Sequence, residues 1–232
     1  MLQSEFALEA LGRCRLFSGL GPETLQAIAR TLRVRHFRRG EVLFHEGDPG
    51  DALFIVASGA IKVVVPSDEG EEAILATLRR GDFLGELALL DGAPRSASAI
   101  ALEATDTLAL PRDQFRALAN TEPAIRDALL TALVRELRRL TTHVAELHFL
   151  DLTGRLAARL ARLAEENGEA LPNGSIRLDA PLTQSDLAAM IGATRQSVNK
   201  LLREFEEDGL LRFERDSIVV PDVQALARAA RR

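Results

Sequence analysis

The chain has 232 residues, 47% hydrophobic and 27% charged, a composition that excludes collagen-like, mucin-like and disordered classes and can fill one large or two modest domains. Its net charge is -5, with 17 basic and 21 acidic residues in 1–150 and 12 and 13 in the remainder, so affinity for a polyanion has to come from local arrangement. One cysteine excludes an intramolecular disulfide or a cysteine-held cluster, and no apolar run reaches the ~20 residues of a membrane span, so a cytoplasmic protein without a membrane partner is expected.

The first predicted element is a small helix beginning near Pro22, with Leu25, Ile28, Ala29 and Leu32 on one face. From Arg33 to Pro111 short β-rich runs follow: Glu41–Phe44, Leu53–Val56, Ile61–Val65 and Ala73–Leu75. They are divided by turn signals at Gly40, Gly47-Asp48-Pro49-Gly50-Asp51, Ser58-Gly59, Asp68-Glu69-Gly70 and Gly81-Asp82. Many short strands at even spacing predict a β-sandwich or barrel.

Within that region, Gly81–Ala99 concentrates binding chemistry. Gly85-Glu86 opens a short helix whose N–H groups can take an anion. Arg95 offers a planar fork to a phosphate and Ser96 adds a hydroxyl and an N–H; in that role the guanidinium would face a ligand rather than the core. Glu86 cannot bind phosphate but can accept hydrogen bonds from sugar hydroxyls. Glu86 and Arg95 would serve equally as an ion pair closing a loop, and residue chemistry alone does not separate the two.

After Pro123 the pattern becomes one long helix. Leu130, Leu133, Leu137, Leu140, Val144 and Leu147 follow steps of three and four, flanked by Arg135, Glu136, Arg138 and Arg139. This two-in-seven stripe is a coiled-coil seam, so the ~42 Å rod is expected to pair with a second copy rather than lie on its own barrel. The capping residues Asp151 and Thr153 and the weak helix former Gly154 place a hinge at Leu150–Gly154.

Thr183-Gln184-Ser185-Asp186 has the form of a capping box, so a helix starts at Gln184, turns at Gly192 and restarts at Thr194. In the second helix Val198, Leu201, Leu202 and Phe205 face inward, leaving Arg195, Gln196, Asn199, Lys200 and Arg203 outside. No acid occurs from Gly192 to Arg203. Helix, glycine turn and basic second helix are the helix-turn-helix signature. The strand candidates Leu211–Phe213 and Ser217–Val220, with Arg215-Asp216 at their tip, would add a wing in which Arg215 touches phosphate. His36, His45, His143 and His148 lack metal-ligand spacing, Cys14 reads as an apolar filler, and no nucleophile–base pair supports an enzyme.

Gly81–Ala99 looks like the phosphate-binding cassette of the cyclic nucleotide-binding domain. Nearly end to end the chain resembles the cyclic AMP receptor protein branch of the Crp/Fnr transcription regulators. Gly40, Gly47, Asp48, Gly59 and Gly81 sit where that family's barrel turns carry glycines and an acid. Phe149–Arg155 is similar to its hinge and Gly192–Val198 to its recognition helix. The resemblance implies an α+β protein: a β jelly-roll cyclic nucleotide-binding domain at 1–120, a dimerisation helix at 121–150 and a winged helix-turn-helix domain at 151–232.

It further implies that Arg95 and Ser96 hold the phosphate of cyclic AMP, and Gly85 and Glu86 its ribose, with Leu87 beside them. Val63 and Leu75 would form an apolar wall, and Thr141 and Thr142 would meet the adenine; cyclic GMP is the poorer fit. Thr194, Arg195, Gln196, Ser197, Asn199, Lys200, Arg203 and Arg215 would contact a near-palindromic double-stranded DNA site, as a homodimer working with RNA polymerase. Three positions depart from the family: Leu140 replaces a threonine at the base, Glu136 an arginine near the ribose carboxylate, and Gln196 a glutamate of the recognition helix. The alternatives are the same DNA regulator without a nucleotide or with another effector, and a nucleotide-binding module without DNA function.

Overall fold

The computed structural model describes residues 2–67, 72–178, 182–214 and 217–230, so the turns at Asp68-Glu69-Gly70 and Arg215-Asp216 lie outside the described residues. The chain forms two compact units, Met1–Leu137 and Arg138–Arg232.

The first unit opens with α1 (Leu2–Arg13) and α2 (Pro22–Ala29); Pro22 stands at the start of α2, where its missing N–H is not needed. There follow β1 (Arg33–Phe37), β2 (Val42–Phe44), β3 (Ala52–Ser58), β4 (Ala60–Pro66), β5 (Glu72–Arg79), β6 (Phe83–Leu84), α3 (Glu86–Asp91), β7 (Ser98–Ala101), β8 (Thr105–Pro111), α4 (Arg112–Thr121) and α5 (Pro123–Phe149). Two four-stranded antiparallel sheets result, ordered β1-β8-β3-β6 and β2-β7-β4-β5. This is the expected β-rich domain.

One apolar cluster joins Phe54, Val56, Ile61, Leu84 and Ala99, with Leu43, Phe44 and Leu78 against it. A second lies on the other face of β3, where Leu53, Ile55 and Ala57 join Leu11, Phe17, Phe115, Ile125 and Leu129. Because both faces of β3 are covered, it reads as a continuous apolar run rather than an alternation. Cys14 belongs to the second cluster, as a filler should, and burial pushes its thiol pKa up to about 12. The helices α1 and α4, which the sequence pattern leaves unassigned, cover this face together with the start of α5.

The long helix carries both a packed and an exposed stripe. Ile125 and Leu129 are buried and Leu133 packs against the same cluster. Leu130, Val134, Leu137 and Val144 are 61%, 50%, 65% and 58% exposed. The exposed seam therefore differs from the predicted one: Leu133 belongs to the unit's own core, and Val134 takes its place. Ile125, Leu129 and Leu133 lie on one helix face and Leu130, Val134, Leu137 and Val144 on the neighbouring one, and the fold of the first unit decides which is covered.

The second unit adds α6 (Leu152–Asn167), β9 (Glu169–Ala170), β10 (Ile176–Leu178), α7 (Gln184–Ile191), α8 (Arg195–Glu207), β11 (Arg212–Glu214), β12 (Ser217–Val220) and α9 (Val223–Ala229). Its sheet runs β11-β12-β10-β9. Leu156, Leu160, Leu163, Met190, Val198, Leu202, Phe205, Val219 and Leu226 are buried in this unit. The predicted helix break is present: α5 ends at Phe149, and Asp151 caps α6 by accepting from Gly154 N at 2.8 Å. Bonds span that break. Arg155 donates to the carbonyls of Leu147 (2.8 Å) and Leu150 (3.1 Å) and, at 3.5 Å, of Ile191, while Arg162 pairs with Glu146.

Candidate functional site

Two constellations carry chemistry, one in each unit. In the first, β6 delivers Gly85 into a left-handed conformation (φ 87°), from which α3 starts at Glu86. The short loop after α3 returns Arg95 to a position fixed by its main chain: Arg95 N donates to Asp48 O, and Gly47 N to Arg95 O, both at 2.8 Å.

The Arg95 side chain is only 2% exposed. Its Nη1 donates to Gly85 O at 2.8 Å, its Nη2 to Ala52 O at 2.7 Å, and Asp51 lies 3.7 Å away. The guanidinium stacks 4.3 Å from the centre of the Phe44 ring. The expectation that it faces a ligand rather than the core is thus corrected. Main-chain carbonyls hold the ion inside the domain, because a buried cation needs acceptors around it. Burial pulls the Arg95 pKa below the usual guanidinium value, against the raising influence of Asp51 and Glu86. A Cβ on Gly85 would stand 2.3 Å from Arg95 Nη1, so this approach requires glycine twice over, by space and by φ.

One nitrogen is left over. Arg95 Nε is buried with no hydrogen-bond partner among the described residues, and a buried charged donor of that kind calls for an acceptor from elsewhere. Around it, Glu86 is half-buried, and Leu87 and Ser96 are exposed. Burial raises the Glu86 pKa, helped by Glu136 and opposed by a backbone hydrogen bond and by Arg95. Ser96 leads into β7, where Ser98 pairs with Val64 and Ala99 with Val63. On β5 the register shifts between Ala76, opposite Val63, and Ile74, opposite Val64, so Leu75 is the extra residue at a bulge; Val63 and Leu75 are both half-buried. The structure therefore gathers Gly85, Glu86, Leu87, Arg95 and Ser96 in one loop–helix–loop and sets Val63 and Leu75 on adjoining strands. Thr141 and Thr142 stand at exposed positions of α5 in the second unit, where Thr142 Oγ1 donates to Arg138 O at 3.0 Å. Sequence reasoning missed Asp51, Phe44 and the Ala52 carbonyl. Asp51 closes a turn whose sequence reads only as punctuation, and its acid was the available signal.

In the second unit the predicted capping box is present: Asp186 N donates to Thr183 Oγ1 at 3.1 Å and Thr183 N to Asp186 Oδ2 at 2.8 Å. Gly192 ends α7 and Thr194 caps α8, accepting from Ser197 N at 3.2 Å. Val198, Leu201, Leu202 and Phe205 are buried, while Arg195, Gln196, Lys200 and Arg203 are exposed and Asn199 is half-buried. Three cations and two amides thus share the outer face of α8. β11 and β12 pair as predicted for a wing, with Arg212 exposed beside Glu214; Arg215 lies outside the described residues.

Comparison with known proteins agrees with this division. Residues 34–122 match the cyclic nucleotide-binding domain, and residues 154–229 the Crp-like helix-turn-helix domain. The chain is 36% identical over 223 residues to the CRP-like cAMP-activated global transcriptional regulator of Mycobacterium tuberculosis, spanning 96% of this chain and 99% of that protein. It is 32% identical over 215 residues to the cyclic AMP receptor protein of Thermus thermophilus, spanning 93% and 96%. A CRP/FNR-family transcriptional regulator, also of Thermus thermophilus, has a similar structure, with a TM-score of 0.70 at 28% identity, covering 86% of this chain and 99% of that one. FixK2 from Bradyrhizobium japonicum gives a TM-score of 0.77 at 22% identity over 85% and 96%, a likeness of fold.

Proposed function

The chain belongs to the Crp/Fnr family of DNA-binding transcription regulators with a cyclic nucleotide-binding domain, and from that membership we propose that it is a homodimer whose DNA binding responds to cyclic AMP. The observation that carries the effector is the orphaned Arg95 Nε, a buried cationic donor held in place by the Gly85 and Ala52 carbonyls. A cyclic phosphodiester supplies the missing acceptor. Arg95 and Ser96 would hold the phosphate, Gly85 and Glu86 the ribose with Leu87 alongside, Val63 and Leu75 the apolar wall, and Thr141 and Thr142 the adenine.

The exposed stripe Leu130, Val134, Leu137 and Val144 supports the dimer, since a long helix leaves such a seam bare only to cover it with another. The outer face of α8, with Thr194 and Ser197 building its cap, would meet two half-sites of a near-palindrome, with Arg212 of β11 and Arg215 as phosphate contacts. RNA polymerase would be the partner of the DNA-bound dimer. Ligand would act through the Leu150–Gly154 break, favouring a state in which the two reading helices fit successive major grooves.

Titration calorimetry of the purified protein with cyclic AMP and with cyclic GMP tests this. Saturable binding, tighter for cyclic AMP, is the expected result; no heat with either nucleotide would leave a DNA-binding regulator that answers another effector or none. A gel shift unchanged by Arg195→Ala would instead leave a nucleotide-binding module without DNA function.

A further inference from the structure

The outer face of α8 divides into residues that build the helix and residues that are free to read. Thr194 and Ser197 turn their hydroxyls on each other at 2.9 Å and cap the first turn. Lys200 lies 3.6 Å from Glu204. Gln196 is exposed on the first turn, directly after Arg195, and neither has a polar side-chain partner among the described residues. First-turn residues are the ones that meet base edges when such a helix enters a major groove. Consecutive helical residues diverge by about 100°, so the two side chains address different base pairs.

Chemistry then assigns each. A guanidinium fork fits the two acceptors O6 and N7 of guanine. A carboxamide presents one donor and one acceptor together, which fits N7 and N6 of adenine, whereas a carboxylate only accepts and suits the N4 amino group of cytosine. We infer that Gln196 sets the base at one position of each half-site, selecting adenine beside the guanine taken by Arg195. This rests on α8 being the DNA-reading helix of the proposed function.

The experiment presents the full chain, with cyclic AMP, to a library of double-stranded DNA randomised across the half-sites, and sequences the bound fraction. It compares the wild type with Gln196→Glu, Gln196→Ala and Arg195→Ala. In the wild type, adenine should be favoured at one half-site position by about 5- to 150-fold, the discrimination of one bidentate pair. Gln196→Glu should move that preference to cytosine and Gln196→Ala should flatten it, with other positions unchanged; Arg195→Ala should flatten a neighbouring one. Gln196 is exposed, so all variants should melt as the wild type does. The same motif from wild type and Gln196→Glu overturns the inference alone. So does a folded Gln196→Glu that loses every preference, because Gln196 would then be a general contact. A wild type that enriches no motif, with or without cyclic AMP, overturns the DNA-reading assignment itself.

Discussion

Arg95 serves the fold through its guanidinium, and in the proposed function the same group would hold the ligand. Arg95→Leu strands the buried Ala52 carbonyl, at about 1–3 kcal/mol, and frees the part-buried Gly85 carbonyl, so it should lower the ligand-free melting temperature as well as silence a cyclic AMP titration. An unchanged melting curve would return the side chain to a purely ligand-facing role. Gly85→Ala should do the same from the other side, by driving a methyl into Nη1. Glu86 gives two opposed pH trends. Its pKa is raised by burial, with Glu136 adding to the effect, so the folded chain holds the proton more tightly than the unfolded one. Its contribution to stability is therefore full below the ordinary carboxylate pKa and is lost as pH rises through the raised value. Ribose hydroxyls need the ionised acceptor, so cyclic AMP affinity should fall as pH drops through that same value. Glu86→Gln should flatten both curves, which melts and titrations across the mildly acid range would show.

At the scale of elements, the two stripes of α5 predict different failures. A charge at Val134 or Val144 should split the proposed dimer and leave the melting of the nucleotide-binding domain intact, whereas Leu133→Asp, on a half-buried leucine packed against the core, should lower the melting temperature of that domain. Sedimentation and melting together distinguish the cases; a dimer that survives Val134→Asp and Val144→Asp combined would refute the seam. The same helix shows why legibility was uneven. The Thr183 capping box, the Gly192 turn and the Thr194 cap were readable because each is a bond between residues three or four apart in sequence. The Gly81–Ala99 loop was readable because its groups are contiguous. Whether Leu133 or Val134 is exposed was not, since it depends on where the first unit's core lies. Nor was the Arg95 environment, since Phe44, Asp51 and Ala52 reach it only through the registers of β2 and β3.

For the whole molecule, linkage is the sharpest check. If cyclic AMP raises affinity for a specific DNA site by some factor, that DNA must raise affinity for cyclic AMP by the same factor, and two titrations that disagree would deny the coupling. DNA affinity should also fall steeply with salt, with a log–log slope of about -0.9 per phosphate neutralised, despite the net charge of -5, because the cations are gathered on α8. The geometry of Arg155 bears on how such a signal moves. One side chain bonds carbonyls on both sides of the end of the rod, at Leu147 and Leu150, and reaches towards the end of α7 at Ile191, which would make the elbow a latch rather than a spring. A new angle forfeits bonds of fixed direction before others replace them. Such a joint is expected to have a few discrete settings, so a dye pair across it should report separate populations that exchange weight rather than one mean that slides.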